Sequence, residues 1–236
     1  MMKYTIRYVS LLAGMLTVFS SCEHKDLCFD HDAHAPKSDV HIKAVYEKEW
    51  EHTCEGGPDW EQYPAWESRF GMDYHELCPD APDGLRIQVY NEDGTNNVLN
   101  VAPEGDIVRM RPGEHSLLLY NNDTEYIVFD DMNSFASAKA TTRTRTRASY
   151  GGNPYMENTV ENTVNAPDML YGNYMENYTA ERKTETDELP VTMHPLVFTY
   201  LVRYEFSHGL EYVALARGAL AGMAGAVWLN SGRTSE

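Results

Sequence analysis

The residue with the best-defined chemistry is Cys22. It follows Ser20-Ser21 and an apolar run from Val9 to Phe19 broken by one serine; the stretch before that run carries Lys3 and Arg7 and no acid. The run is shorter than the ~20 apolar residues a membrane span needs, and its basic, apolar, small order is that of a cleaved secretory signal. Lipoprotein signal peptidase requires a cysteine directly after small residues, because the thiol takes a diacylglycerol before the cut. Phe19 occupies the third position before that cysteine in place of the usual leucine. The competing reading is an ordinary signal peptide cut nearby. The sequence predicts a signal over residues 1–21 and an exported protein tethered by lipid at Cys22.

Three further cysteines, Cys28, Cys54 and Cys78, make an odd count outside the cytoplasm, so at least one thiol stays unpaired or joins another chain. Cys54 with Cys78 is the more plausible pair, because both flank one insertion. His52 and His75 near them, and Asp30-His31-Asp32 with His34, have metal-ligand chemistry. Neither set has the spacing of a compact zinc module, and surface loop and solvated tether are the favoured readings, so no metal site is expected. The chain has no glycine-rich phosphate loop, no Gly-x-Ser-x-Gly elbow and no His-Glu-x-x-His helix. Its many acids form no defined pair for glycoside hydrolysis. A non-enzymatic protein without a cofactor is expected. The remaining chemistry is aromatic: Trp50, Trp60, Tyr63, Trp66, Phe70 and Tyr74 crowd one insertion. Trp50, Trp60 and Trp66 could stack on sugar rings, or the group could be a satellite cluster packing the insertion down.

The elements that must position these residues read as strands. The 16 Tyr and 4 Trp favour β-structure over helical bundles. After residues 1–21 are removed, 17 Lys and Arg face 36 Asp and Glu, a formal charge of −19 that argues against nucleic acid or anionic lipid as a partner. Residues 22–39 read as an acylated polar tether. Val40 to Tyr46 alternates as a half-buried strand, and residues 47–83 form the aromatic insertion, with a short helix possible from Trp66 to Leu77. Leu85–Tyr90, Asp106–Met110, His115–Tyr120 and Glu125–Asp130 follow as short strands. Turn signals separate them at Asn91-Glu92-Asp93-Gly94, Arg111-Pro112-Gly113-Glu114 and Asn121-Asn122-Asp123. This spacing predicts an antiparallel sandwich over residues 40–149.

Phe135 to Arg147 begins as a strand and ends in Thr142-Arg143-Thr144-Arg145-Thr146-Arg147. That run reads as a charge-protected edge, or else as a protease site or a contact for an acidic partner. Residues 150–189 repeat themselves (Tyr155-Met156-Glu157-Asn158 and Tyr174-Met175-Glu176-Asn177) and hold few aliphatics. They are expected to be a flexible connector, with Pro167–Tyr171 as a docking exception. Residues 190–236 start a second, incomplete β domain or else finish the first domain's sheet. Phe198, Tyr200, Val202, Tyr204 and Phe206 share one face of a long strand there, and Leu210–Ala216 reads as a second strand. A membrane helix over Leu210–Leu229 is disfavoured by Arg217 and three glycines.

Several short stretches together resemble a family of Bacteroides-type lipoproteins related to fimbrial anchor and fimbrillin-associated subunits. They are Cys22 with His24-Lys25-Asp26-Leu27-Cys28-Phe29-Asp30-His31, then Gly84–Tyr90, Pro112–Asn121 with Asp123-Thr124-Glu125, Pro167–Tyr171 and Leu220–Gly225. The family usually has Tyr where His115 stands. The resemblance implies transthyretin-like antiparallel β-sandwich domains, usually two, on an outer-membrane lipid (palmitate) anchor at the cell surface. It implies a role in anchoring or capping a fimbria, or in adhesion, with fimbrial subunits as partners and no catalytic residues. The expected mechanism is association by an added β-strand, with Val197, Thr199, Leu201 and Arg203 as partner-binding residues on an edge or groove wall. A surface glycan-binding lipoprotein using Trp50, Trp60 and Trp66 is the alternative.

Overall fold

The strand Gly113–Asn121 is buried on both faces from His115 to Asn121, apart from a half-buried Ser116, so a layer must cover each side of it. The computed structural model describes residues 37–47, 59–144, 164–214 and 222–235. In chain order its strands are β1 (Ser38–Tyr46), β2 (Leu85–Asn91), β3 (Asn96–Val101), β4 (Ile107–Met110), β5 (Gly113–Asn121), β6 (Ile127–Asp130), β7 (Lys139–Thr142), β8 (Tyr171–Ala180), β9 (Asp187–Pro195) and β10 (Ala226–Trp228). Seven pair in the order β3-β2-β5-β8-β9-β1-β4, and β10-β7-β6 make a separate sheet.

The seven-strand sheet doubles back on itself. β8 and β9 pair only at Tyr171↔Pro195 and Gly172↔His194, and beyond that point they part. The halves β3-β2-β5-β8 and β9-β1-β4 then share one core, in which Val40 and Ile42 of β1 meet Ile87 and Val89 of β2 and Leu117 and Leu119 of β5. The opposite face of β5 and β2 gives Leu118, Tyr120 and Tyr90 to a second core, closed by Ile127, Ala138, Ala140, Val227 and Leu229. Strand alternation produces this split, since neighbouring side chains point to opposite faces. Each fully buried Leu or Ile contributes about 1.5–3 kcal/mol through area removed from water. The all-β sandwich expected from the sequence is present, with one departure: β1 and β9 run parallel, Val40↔Asp187 through Tyr46↔Met193. His41 Nδ1 and Lys43 Nζ both lie on Glu188 across that pair, at 3.2 and 2.6 Å. They hold its carboxyl below the ordinary range, with the Lys43 hydrogen bond the larger cause.

Residues 150–189 are not a connector throughout. Tyr171–Ala180 is a ten-residue strand lying along β5, and Asp187–Pro195 lies along β1. The low aliphatic content misleads because β8 is an exterior strand: Tyr171, Gly172 and Ala180 are buried, and the rest is at most half-buried. Its pairing shifts between His115↔Tyr178 and Leu117↔Met175, so Glu176 and Asn177 oppose Ser116 in a bulge. Likewise residues 190–236 build no separate sheet among the described residues; β9 and β10 complete the two sheets of the first unit. The strand expected from Phe135 is only Lys139–Thr142, because the backbone of Ser134–Ala138 turns. Arg145 to residue 163, with the remaining Thr-Arg pairs and the first sequence repeat, lies outside the described residues. Leu210–Tyr212 is a 3₁₀ turn rather than a strand. No helix among the described residues is long and apolar enough to cross a membrane.

Buried polar groups are tied at the seams. Asn121 donates through Nδ2 to Asp123 Oδ1 (2.6 Å) and the Met169 carbonyl (3.1 Å), while its Oδ1 accepts from Tyr171 N–H (2.7 Å). Asp168 Oδ2 accepts from the N–H groups of Glu125 and Tyr126. Pro167–Tyr171 therefore docks, as its sequence suggested. Gln88 Nε2 and Tyr90 Oη both donate to the Met132 carbonyl, at 2.6 and 2.9 Å. His115 donates from Nε2 to the Arg111 carbonyl (2.7 Å), and its buried Nδ1 has no partner.

Gly105 closes the β3–β4 connection against β1 at φ 103°, and a Cβ there would stand 2.0 Å from the Ile42 carbonyl oxygen. Both the left-handed backbone and the contact with main chain forbid a side chain. Gly105→Ala is expected to destabilise the fold by at least ~2 kcal/mol in urea unfolding. Tyr46 donates to the Pro103 carbonyl at 3.1 Å, and burial, followed by the charges of Asp123 and Glu104, pushes its phenol up from 10.0 to about 12. The fold thus favours the neutral phenol. That stabilisation is intact below pH 10, where the unfolded phenol is neutral too, and is lost as pH rises through about 12. Denaturant midpoints across this window should fall more steeply for the wild type than for Tyr46→Phe.

Candidate functional site

The aromatic insertion folds around a short helix, α1 (Trp66–Phe70), followed by a 3₁₀ turn at Tyr74–Leu77. The single helix expected over Trp66–Leu77 is divided because Gly71 takes a left-handed φ of 73° and ends α1. Asp73 restarts the chain by accepting from His75 N–H, while Glu76 accepts from Asp73 N–H in return. The aromatic rings close on one another. Trp66 lies 4.3 Å from Phe70 in a tilted stack and edge-on to Tyr74 at 5.1 Å. Trp60 is edge-on to Tyr63, Trp66 and Phe70 at 5.6, 5.9 and 6.4 Å. Trp66 is buried, with its Nε1–H unpartnered, and Trp60 is half-buried.

This geometry is that of a packed satellite cluster. Trp66 is buried against its ring neighbours and Trp60 is half-buried; Trp50 lies outside the described residues. Cys78 has no disulfide partner among the described residues, and burial pushes its thiol up. Cys54, His52 and the histidines near the N-terminus lie outside the described residues, as does Cys22. No group of three or more His, Cys, Asp or Glu among the described residues is placed to hold a metal ion.

The C-terminal segment is built differently from its expectation. Leu196 N–H still donates to the Leu170 carbonyl at 2.7 Å, and Leu196 and Val197 pack on the second core. From there to Phe206 the backbone joins no sheet, so Val197, Thr199, Leu201 and Arg203 form neither an edge strand nor a groove wall. Every residue from Phe198 to Phe206 is exposed: Phe198, Tyr200, Tyr204 and Phe206 at 58, 61, 59 and 45 %, with Val202 on the same face and Leu201 on the other exposed too. On the other face Arg203 is engaged within the chain. Its Nε meets Glu205 Oε1 at 3.2 Å, and its guanidinium lies 5.8 Å from the Phe70 ring centre. The sequence contained the alternation but no signal for this contact with α1.

The family described as "Domain of unknown function (DUF5119)" matches residues 61–236. The chain belongs to this family. It is 25% identical over 175 residues to the Bacteroides ovatus protein named "Putative fimbrium anchoring subunit Fim4B", covering 73% of this chain and 50% of that one. A crystal structure titled as a putative adhesin from Bacteroides ovatus superposes with a TM-score of 0.56 at 21% identity, covering 91% of this chain and 62% of the other. That likeness is one of fold. The chain spans about half the length of the curated relative it matches. The resemblance read from the short motifs is thereby met by both family and fold.

Proposed function

We propose that this protein is a non-enzymatic, surface-exposed lipoprotein that anchors or accompanies a fimbria, held to the outer membrane by lipid at Cys22 and associating with fimbrial subunits through an added β-strand. The observation that carries this reading is the segment Val197–Phe206, extended, outside both sheets, and exposed from Phe198 onward with four aromatic rings and Val202 at alternate positions. An extended chain that belongs to neither sheet can supply main-chain hydrogen bonds to an open sheet edge, while alternate side chains fill pockets that fix register. Its role is that of a donated strand rather than an acceptor edge. Val197, Thr199, Leu201 and Arg203 contribute main-chain groups, and Phe198, Tyr200, Val202, Tyr204 and Phe206 contribute the buried side chains. The 25% identity to a relative named as a fimbrium anchoring subunit supports fimbrial subunits as the partners.

Two experiments test the two halves. Palmitate labelling is expected to be lost in Cys22→Ala and retained in Cys28→Ser; label that persists without Cys22 removes the anchor. For the strand, Val202→Pro deletes one main-chain donor, and Tyr200→Asp with Tyr204→Asp charges the apolar face. Each is expected to reduce recovery of fimbrial subunits in pull-downs by about tenfold or more, as the loss of a well-packed anchor side chain costs over ~1–2 kcal/mol, with the thermal midpoint unchanged. Undiminished recovery from both variants would discard strand donation.

A further inference from the structure

α1 and the strand-like segment are far apart in sequence, and one ring brings them together. Phe70 has the Arg69 guanidinium 5.9 Å and the Arg203 guanidinium 5.8 Å from its centre. Arg69 is itself fixed, donating from Nη1 to Tyr63 Oη at 3.2 Å, and Phe70 is fixed by the tilted stack on buried Trp66. Glu205 holds Arg203 at 3.2 Å and its charge also reaches Arg69. Arg203 and Glu205 fall on one face of the extended segment, and Phe198, Tyr200, Val202, Tyr204 and Phe206 fall on the other. The insertion is therefore touched by Arg203 from its own face, while Tyr200, Val202, Tyr204 and Phe206 on the alternate face stay exposed.

We infer that the aromatic insertion is a presenting platform: Trp66 and Phe70 hold down the Arg203 face of the segment and so keep its aromatic face outward, in the extended form that a partner sheet accepts. This rests on the strand-donation reading, and it gives the insertion a role in protein association rather than in sugar binding. Cluster and segment then work as one site. A chain already extended loses less conformational freedom on pairing than a free coil, so the platform raises affinity without touching the partner. Phe70 is in this sense a positioning residue.

Trypsin reads the platform in the free protein, because cleavage after Arg203 requires its side chain to leave the ring. Phe70→Leu keeps apolar volume beside Trp66 and removes the π face; Phe70→Tyr restores it. Cleavage after Arg203, followed by mass spectrometry against cleavage after Arg86 as internal reference, is expected to be about two- to fivefold faster in Phe70→Leu, the range for an exposed cation–π contact, and unchanged in Phe70→Tyr. Equal rates in wild type and Phe70→Leu, or an equal acceleration in both variants, would overturn the platform. The apparent affinity for the fimbrial subunit recovered by pull-down should fall by a similar factor in Phe70→Leu alone. A cleavage effect with no subunit recovered from wild type would leave the platform standing and reject strand donation; recovery without a cleavage effect would do the reverse.

Discussion

Strands β2 and β5 are covered on both faces, and most of the architecture follows from that constraint. Leu117 and Leu119 face one core while Leu118 and Tyr120 face the other, so no position along β5 between them can carry an unsatisfied polar group. Polar side chains that enter this layer are bonded, His115 through Nε2 alone. Asn121 makes three hydrogen bonds at the end of β5, and Gln88 reaches a loop carbonyl of the outer sheet. Asn121 in particular joins the end of β5 to the start of β8, fifty residues later, by accepting from Tyr171 N–H. The stretch from residue 122 to residue 170 is therefore an excursion that builds the outer sheet and must return to one point.

That return determines where the chain leaves the sheets. β8 and β9 meet over two residue pairs, and the chain leaves β9 at that junction with Leu196 still bonded to Leu170. The segment that follows is anchored at its first residues and released from any ladder afterwards. β10 is backed by the return of Arg233–Ser235, whose main chain pairs with Trp228 and Ala226. The seven-strand sheet ends at β3 and β4, and β8 is bulged at Glu176–Asn177 where it pairs with β5. The segment after β9 differs from both in carrying a run of exposed large apolar side chains outside the ladders.

How much of this was legible in the sequence depends on which physical signal each element carries. β1, β2 and β5 were readable because half or more of their residues are apolar at period two or in a run. β3 was missed because Asn96, Asn97 and Asn100 are poor strand formers; it exists through its register with β2, Leu85↔Val101 to Tyr90↔Asn96, as an outer strand that buries little. β8 was taken for connector for a related reason: its contacts come from Tyr and Met side chains and from backbone pairing, neither of which makes an aliphatic pattern. The extended character of Phe198–Phe206 was legible, but whether it lay in a sheet was not, since periodicity reports conformation and says nothing about partners. The contact of Arg203 with Phe70 spans the whole sandwich in sequence and has no local signature at all.

The insertion shows why an aromatic cluster need not be a ligand platform. A ring that stacks on a sugar must keep one face open, whereas edge-to-face packing turns each ring into the wall of the next and leaves no such face on Trp66. The cluster's outlet is instead Phe70, whose ring is still accessible to guanidinium groups from its own helix and from the extended segment. Guanidinium suits that position because it stays charged, is weakly hydrated and lies flat on a ring. In a chain with a formal charge of −17, two arginines gathered at one ring with a single glutamate between them form a local exception. Glu205 pairs with Arg203 and Tyr63 accepts from Arg69, so the ring shares both guanidiniums with polar partners.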